Sequence, residues 1–299
     1  GMDINISTDS ASLAVADGVT LSTRTIGGSS DYENEASTGD SGNIELVADF
    51  ITAGSGVMLL AHDDRTGVNG GNVTLLANST IAASPLDLFF DTANAESRVD
   101  LLGATLKGAT VSVQAIADTS KQTSDTDTPF EKALDGFGLL DFSSFVGVSL
   151  STETAEVRIG NGTRIEADVD ALIGATADSE SIITTVGLAL GFTYASSDAT
   201  AKASIESGAT ITAGNMLRLE STANNTVEAN AFGVNSGPTL NIAVTDATSG
   251  ADAFIQNGAN IHAGSLDVTA DIVNRIETSA KPLELVGDSA GGAFAISFL

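Results

Sequence analysis

The sequence predicts an all-β solenoid, one elongated domain in which a single chain coils repeatedly through short strands, and three observations carry that reading. The first is the stretch Ala201-Lys-Ala203-Ser-Ile205-Glu-Ser-Gly208-Ala-Thr-Ile211-Thr-Ala213-Gly214, where small or apolar residues alternate with polar ones, break at a glycine and resume. It returns at Ala251–Gly264, occurs earlier at Ala155–Asp168, and has a looser copy around Val99–Leu106. Period-two alternation marks strands with one buried face, and recurrence at about 50 residues marks a repeat architecture. The second is a shorter repeat. Gly42-Asn43-Ile44-Glu-Leu46-Val-Ala48, followed by Ile51-Thr-Ala53-Gly54, matches Gly71-Asn72-Val73-Thr-Leu75-Leu-Ala77, followed by Ile81-Ala-Ala83, 29 residues on. That offset is the length of one solenoid coil. The third is composition. Hydrophobic residues make up 42% but aromatics only 5%, with no Trp, so the core must be filled by small and β-branched side chains that stack layer on layer. Gly 31 against Pro 4 supplies many tight turns and few breaks in a hydrogen-bonded ladder.

Taken in order, Ile4-Asn-Ile6, Ser12-Leu13-Ala-Val15 and Val19-Thr-Leu21-Ser-Thr23 read as short strands, the last two parted by Asp17-Gly18. Gly27 to Asp40 is a polar loop, and His62-Asp63-Asp64-Arg65 with Gly67 to Gly71 forms a loop leaving the coil. The longer modules, at nearly twice the 29-residue offset, are expected to hold roughly two coils each. Val111-Ser-Val113-Gln-Ala115 has counterparts in Leu217-Arg-Leu219 and Leu266-Asp-Val268-Thr-Ala270, so each large module reads strand, glycine turn, strand, short turn, strand.

An insertion at 118–146 interrupts the repeat. Thr128-Pro129-Phe130-Glu131 is a helix start; Phe130, Ala133, Leu134 and Phe137 share one face of the short helix it predicts, whose simplest role is to cover apolar surface on the coil. Leu283-Glu-Leu285-Val-Gly287 resembles a degenerate version of it. The domain thus divides into short-coil repeats at 1–117, the insertion at 118–146, and repeats of about 50 residues at 147–299. Ala293-Phe-Ala295-Ile-Ser-Phe298-Leu299 ends on an apolar strand without a polar cap, from which further repeats are expected to follow.

A net charge of -27, from 39 acids against 12 bases, excludes nucleic acid as a partner and disfavours anionic membrane surfaces. The absence of Cys removes disulfides, thiolate nucleophiles and cysteine metal sites. No window of about 18 apolar residues exists, so membrane insertion is not expected. Gly1-Met2 reads as an added leader ahead of the natural residues, which would leave a signal peptide outside the sequence.

Motifs with catalytic overtones lose their force in context. Gly287-Asp288-Ser289-Ala290-Gly291 has the form of a nucleophile elbow, but no His, Asp or Glu follows it. Gly39-Asp40-Ser41-Gly42 resembles a protease serine stretch, yet both histidines, His62 and His262, come later in the chain than such enzymes require. Two isolated histidines make no zinc site, and His262 occupies the repeat position of Thr212 and Glu166, an outward one. Asp63-Asp64, Asp125, Asp127, Asp246 and Asp252 lie in or near turns where calcium could be held; without a G-G-x-G-x-D repeat or EF-hand loop, solvated acidic loops are the simpler expectation. No catalytic, cofactor-binding or metal residue is assigned.

The Gly-Asn-Ile/Val-x-Leu-x-Ala-x-x-Ile-x-Ala coils, clearest at Ser41-Gly42-Asn43-Ile44, resemble filamentous-haemagglutinin-like repeats of giant bacterial surface adhesins, best over residues 1–117. The resemblance implies a right-handed parallel β-helix, secretion to the bacterial cell surface, and a role as stalk or adhesion module. Its partners would be host-cell, matrix or biofilm glycans and proteins, with neighbouring repeats of the same long chain; the chain is expected not to be an enzyme. The first alternative is a carbohydrate-active enzyme on a β-helix, a polysaccharide lyase or hydrolase, for which Arg158, Arg164, Glu156 and Glu166 form the candidate cluster. A second is a ligand-binding module with the 118–146 insertion as its lid.

Overall fold

A computed structural model describes residues 2–8, 11–23, 41–62, 70–81, 90–119, 146–187, 190–234, 239–283 and 291–299. Among the described residues all regular structure is β, and every strand pair is parallel. The chain circles through three faces, called here A, B and C. The first two coils use short strands, β1 (Ile4–Ser7), β2 (Ser12–Val15) and β3 (Thr20–Ser22), then β4 (Ile44–Ala48), β5 (Phe50–Ala53) and β6 (Met58–Leu60). The next two are β7 (Val73–Thr80), β8 (Phe90–Leu101) and β9 (Thr105–Gly108), then β10 (Val111–Asp118), β11 (Val146–Ile159) and β12 (Arg164–Ala167). From β13 (Asp170–Gly187) and β14 (Leu190–Ile205) onward the chain no longer breaks between faces C and A. β15 (Thr210–Val234) turns that corner through a register shift between Ala213 and Met216, and β17 (Asn260–Leu283) does the same on either side of β16 (Thr239–Ile255). β18 (Gly291–Phe298) completes face B.

Face A stacks β1, β4, β7, β10, β13 and the later parts of β15 and β17; face B stacks β2, β5, β8, β11, β14, β16 and β18. Face C stacks β3, β6, β9, β12 and the starts of β15 and β17, and the continuous β15 joins faces A and C into one eleven-stranded sheet. This is the architecture of a parallel β-helix. The helix expected at 128–137, and the related segment at 284–287, lie outside the described residues.

The expected inward rows are confirmed. Ile205, Ile211, Leu217 and Leu219 are fully buried, and Val99, Leu101 and Leu106 pair in register with Val157, Ile159 and Ile165, so the looser copy is a true repeat. Two expectations about coil length are corrected. A module of about 50 residues is one coil, not two: Ala171 lies beside Leu217 and Leu217 beside Leu266 on consecutive rungs. The added length goes into the strands, which on face A grow from 4 residues in β1 to 18 in β13 and on face B from 4 in β5 to 17 in β16. The second half of the short repeat also pairs differently. Ile51 stacks on Val99, not Ile81, because coil three lengthens after Thr80 and reaches face B later.

Two glycine columns explain why the repeat needs that residue. Between faces B and C, Gly18, Gly56, Gly103, Gly162, Gly208 and Gly258 all have φ between 73 and 93°, a region that residues with a Cβ avoid. They sit in stacked β-turns; the Gly162 amide donates to the Gly208 carbonyl, and that of Gly208 to Gly258. At the corner between faces C and A the constraint is space instead. A Cβ on Gly71 would lie 2.0 Å from the Gly42 carbonyl oxygen, and one on Gly214 the same distance from that of Asp168. The adjoining asparagines form a ladder: the Asn43 amide donates to Asp3, the Asn72 amide to the Asn43 side chain, and the Thr110 hydroxyl to the Asn72 side chain. The Gly-Asn pair of the short repeat is therefore a corner, with glycine giving room and asparagine capping the backbone of the next coil.

Ile211→Asp should destabilise the chain by about 4 kcal/mol or more, since an unpaired charge would enter an apolar core. Thr212→Asp, one residue on and exposed, should cost less than about 1 kcal/mol. Chemical denaturation of both variants checks the register; equal losses would refute it. Gly71→Ala should lower the melting midpoint by several degrees even though no unusual φ is involved, because the corner must open.

Candidate functional site

Beyond Thr80 on face A and before Asn94 on face B, the lengthened strands extend past the triangular core as two facing layers. The interior accordingly splits. One apolar cluster fills the triangle with Ile, Leu, Val and Ala, and a second, of Ala195, Val227, Ala229, Ala231, Ala243 and Ala247, fills the far end of the extension. Between them lies a polar joint. Ser151 is 2.6 Å from Ser179 and 3.1 Å from Ser197, Ser179 and Ser197 are also hydrogen-bonded, and the Ser181 hydroxyl donates to Ser149 at 2.8 Å. All of these side chains are buried, as is Asn225, whose amide donates to the carbonyls of Ser197 and Thr248. Small hydroxyls suit two layers that approach too closely for Leu or Ile, and Ser151–Ser179, Ser179–Ser197 and Ser181–Ser149 bond across them.

Glu153 stands in this joint. Its row neighbours are Ala95 below and Ala199 above, whose small side chains leave it room, and it has no exposed surface. Thr119, at the end of face A, donates to one carboxyl oxygen; the other oxygen has no hydrogen-bond partner among the described residues. Burial pushes the carboxyl up to about 7, against the nearby Ser179 and Thr119 hydroxyls and with the help of the Asp198 and Asp118 charges. Face A carries a milder case: burial, then Asp118 and Glu228, raise Glu180. Sequence reasoning missed Glu153, although the signal was available. Extending the inward phase of Ala155, Val157 and Ile159 back one step lands on it.

The cluster proposed from sequence, Arg158, Arg164, Glu156 and Glu166, is divided by the turn at Gly162. On face B, Glu156 lies between Arg98, at 3.5 Å, and Lys202, at 3.6 Å; Arg158 grips both oxygens of Glu206, through Nε at 2.6 Å and Nη2 at 3.1 Å, and approaches Asp100 at 3.5 Å. The hydrogen bonds that Arg158 donates to Glu206 hold the Glu206 carboxyl below its ordinary range and raise the guanidinium. On face C, Glu166 pairs with Arg164 and, at 3.7 Å, with Lys107. In-register stacking has thus produced an alternating column, Arg98–Glu156–Lys202, on face B and a single stacked pair, Lys107–Glu166, on face C.

His62 follows β6 outside any strand, as expected of a loop residue, and its neighbours Asp63 and Asp64 lie outside the described residues. Its Nδ1 is 2.7 Å from Asp168 and ties the second coil to the corner of the fourth. His262 is exposed in the column of Glu166 and Thr212, as the repeat implied. Ser41 and Gly42 are buried at the corner before β4, where the Thr23 hydroxyl donates to the Gly42 carbonyl at 2.5 Å, and Gly291 begins β18; Gly39, Asp40 and Ser289 are outside the described residues. Of the acids considered for calcium, Asp246 and Asp252 lie on face B strand β16, while Asp125 and Asp127 are not described. No group of three or more His, Asp or Glu side chains is arranged to hold a metal among the described residues, and no described helix is long and apolar enough to cross a membrane.

No family model, curated protein or solved structure matches the chain. The resemblance to adhesin repeats therefore stands on the sequence motifs alone.

Glu153 generates a pH prediction. Its folded-state value near 7 exceeds the ordinary 4.5, so the folded chain holds the proton more tightly and stability falls as pH rises from about 4.5 through 7. The loss should be on the order of 3 kcal/mol. Glu153→Gln, which keeps the shape and removes the titration, should flatten that part of the profile. Denaturation midpoints of both proteins from acid to mildly alkaline pH give the comparison; parallel profiles would show that Glu153 does not titrate in this range.

Proposed function

We propose that the chain is a structural and adhesive segment of a large secreted bacterial surface protein, a right-handed parallel β-helix acting as stalk or cell-adhesion module. The observation that carries this reading is the in-register ladder running from β1 to β18 under a polar outer surface. A scaffold whose every rung rests on the one below projects surface over a distance, and its stability accumulates along its length. Right-handed winding is the sense that strand twist favours for parallel crossovers. High net negative charge keeps such a rod soluble at the concentrations of a crowded surface.

The ladders favour this reading over the carbohydrate-active enzyme. A glycosidase or lyase needs a carboxyl or base free to exchange a proton near neutral pH. Glu206 is kept ionised by Arg158, while Glu156 and Glu166 are each held between two cations.

Beads coated with the chain should be retained on host cells, matrix proteins or biofilm polysaccharide above beads coated with a scrambled-charge control. No member of a polysaccharide panel should release reducing ends. Release that disappears in Glu166→Gln would establish the enzyme instead, and absence of retention on every surface would leave the spacer role and overturn the adhesive one.

A further inference from the structure

The two-layer extension is held shut differently from the triangular core. The triangle is packed with large apolar side chains such as Leu101, Leu106, Ile159, Ile165 and Ile205, all fully buried. The far cluster of the extension consists of Val227 and alanines, which bury less apolar surface each. Ladder hydrogen bonds run from coil to coil within each sheet, so the two layers can part without a ladder breaking. What joins them is a set of hydroxyl pairs, Ser151 with Ser179, Ser181 with Ser149 and, farther out, Thr185 with Thr193. Glu153 stands among these hydroxyls without exposed surface. One of its oxygens takes the Thr119 hydroxyl from face A, and the other has no hydrogen-bond partner among the described residues. A neutral acid fits this place, whereas a carboxylate would hold a full charge between two sheets, a state that water relieves. The charged groups on the surrounding strands do not offset it. Glu96 on β8, Asp118 on β10, Asp178 and Glu180 on β13 and Asp198 on β14 are all acids, and β10 and β13 contain no Lys or Arg. Arg98 on β8, Arg158 on β11 and Lys202 on β14 are taken up on the outer face by Glu156, Glu206 and Asp100.

We propose that Glu153 is a pH-operated latch between the layers. Protonated, it lets the extension close dry; ionised, it draws water into the joint and loosens the two layers while the triangular core stays closed. Burial holds the carboxyl up to about 7 in the closed joint, and an open joint hydrates it and returns it toward the ordinary 4.5. Closure is therefore strongest below 4.5, weakens as pH rises through 7, and stays weakened above that. The stability lost over this range is thereby localised in the extension, the part with the least buried apolar surface to oppose opening.

The chain has no Cys, so single introduced thiols report access without background. Ser181→Cys and Ser149→Cys place one in the joint, Ala203→Cys one in the triangle, all at buried positions, and Thr212→Cys one on the exposed surface. Labelling rates with N-ethylmaleimide, each divided by that of Thr212→Cys at the same pH to remove the titration of the thiol itself, are compared with and without Glu153→Gln. At about pH 8 the joint probes should react more than about tenfold faster with Glu153 than with Glu153→Gln. The difference should shrink toward none as pH falls to 4.5, and Ala203→Cys should be indifferent to Glu153→Gln throughout. The two joint probes lie on opposite layers, β13 and β11, and an unchanged melting midpoint shows which of them leaves the fold intact. Joint labelling that is independent of Glu153 at every pH would overturn the proposal. So would labelling of Ala203→Cys that rises in step with the joint, because the whole chain would then be unfolding.

Discussion

Everything in this molecule follows from in-register parallel stacking. Each residue lies about 4.8 Å from its counterpart one coil earlier and one coil later, so a side chain must be compatible with its own position repeated. Apolar residues meet that condition readily, and Ile44, Val73 and Val111 or Leu106, Ile165 and Ile211 stack directly without a gap. Charges do not, because a like charge on the next rung is repulsive. The outer ladders answer this by alternating sign, as in Arg98, Glu156 and Lys202. Where two acids do adjoin, as Asp118 and Asp178 on face A, the Asn224 amide binds Asp178 from the next rung.

The same spacing decides where glycine is indispensable. At the B–C turn it is chosen for its backbone angle, and at the C–A corner for the space a Cβ would occupy. These requirements recur coil after coil, which is why they were visible as a sequence repeat. The inward phase, the glycine turns and the outward placement of His262 could be read from residues alone, whereas the Gly-Asn pair was legible only as a repeat and not as a corner. Coil count could not. A strand lengthened by two residues keeps its inside and outside, so alternation is silent about how far each face extends. A 29-residue ruler therefore miscounts, because the later coils grow around the same triangle.

The site residues were less legible for a related reason. Arg158, Glu156, Arg164 and Glu166 are neighbours along the chain, but two of them precede the turn at Gly162 and two follow it, so the fold sends them to different faces. Their partners come from other coils: Arg98 and Asp100 from below, Lys202 and Glu206 from above. Glu153 was hidden because a glutamate in a strand is ordinarily taken as outward-facing, and only strict counting from Ala155 shows otherwise.

Lengthening the strands also explains why polar residues entered the interior. A triangular coil encloses a core wide enough for Ile and Leu, but strands that continue past its corner leave only two sheets facing one another. Close to the corner these sheets are joined by Ser151, Ser179 and Ser197 and by Glu153, with Thr185 and Thr193 bonded across farther out. On β14 and β16 the inward positions there are held by small residues, Thr193, Ala195, Asn241, Ala243 and Thr245, and the alternation places the larger Phe192, Tyr194, Ile242 and Val244 on the outer face. The buried carboxyl and these outward apolar residues are thus two consequences of one change in geometry. A coil that stayed the length of the second would have neither, because it has no extension in which polar side chains can be buried or apolar ones turned out.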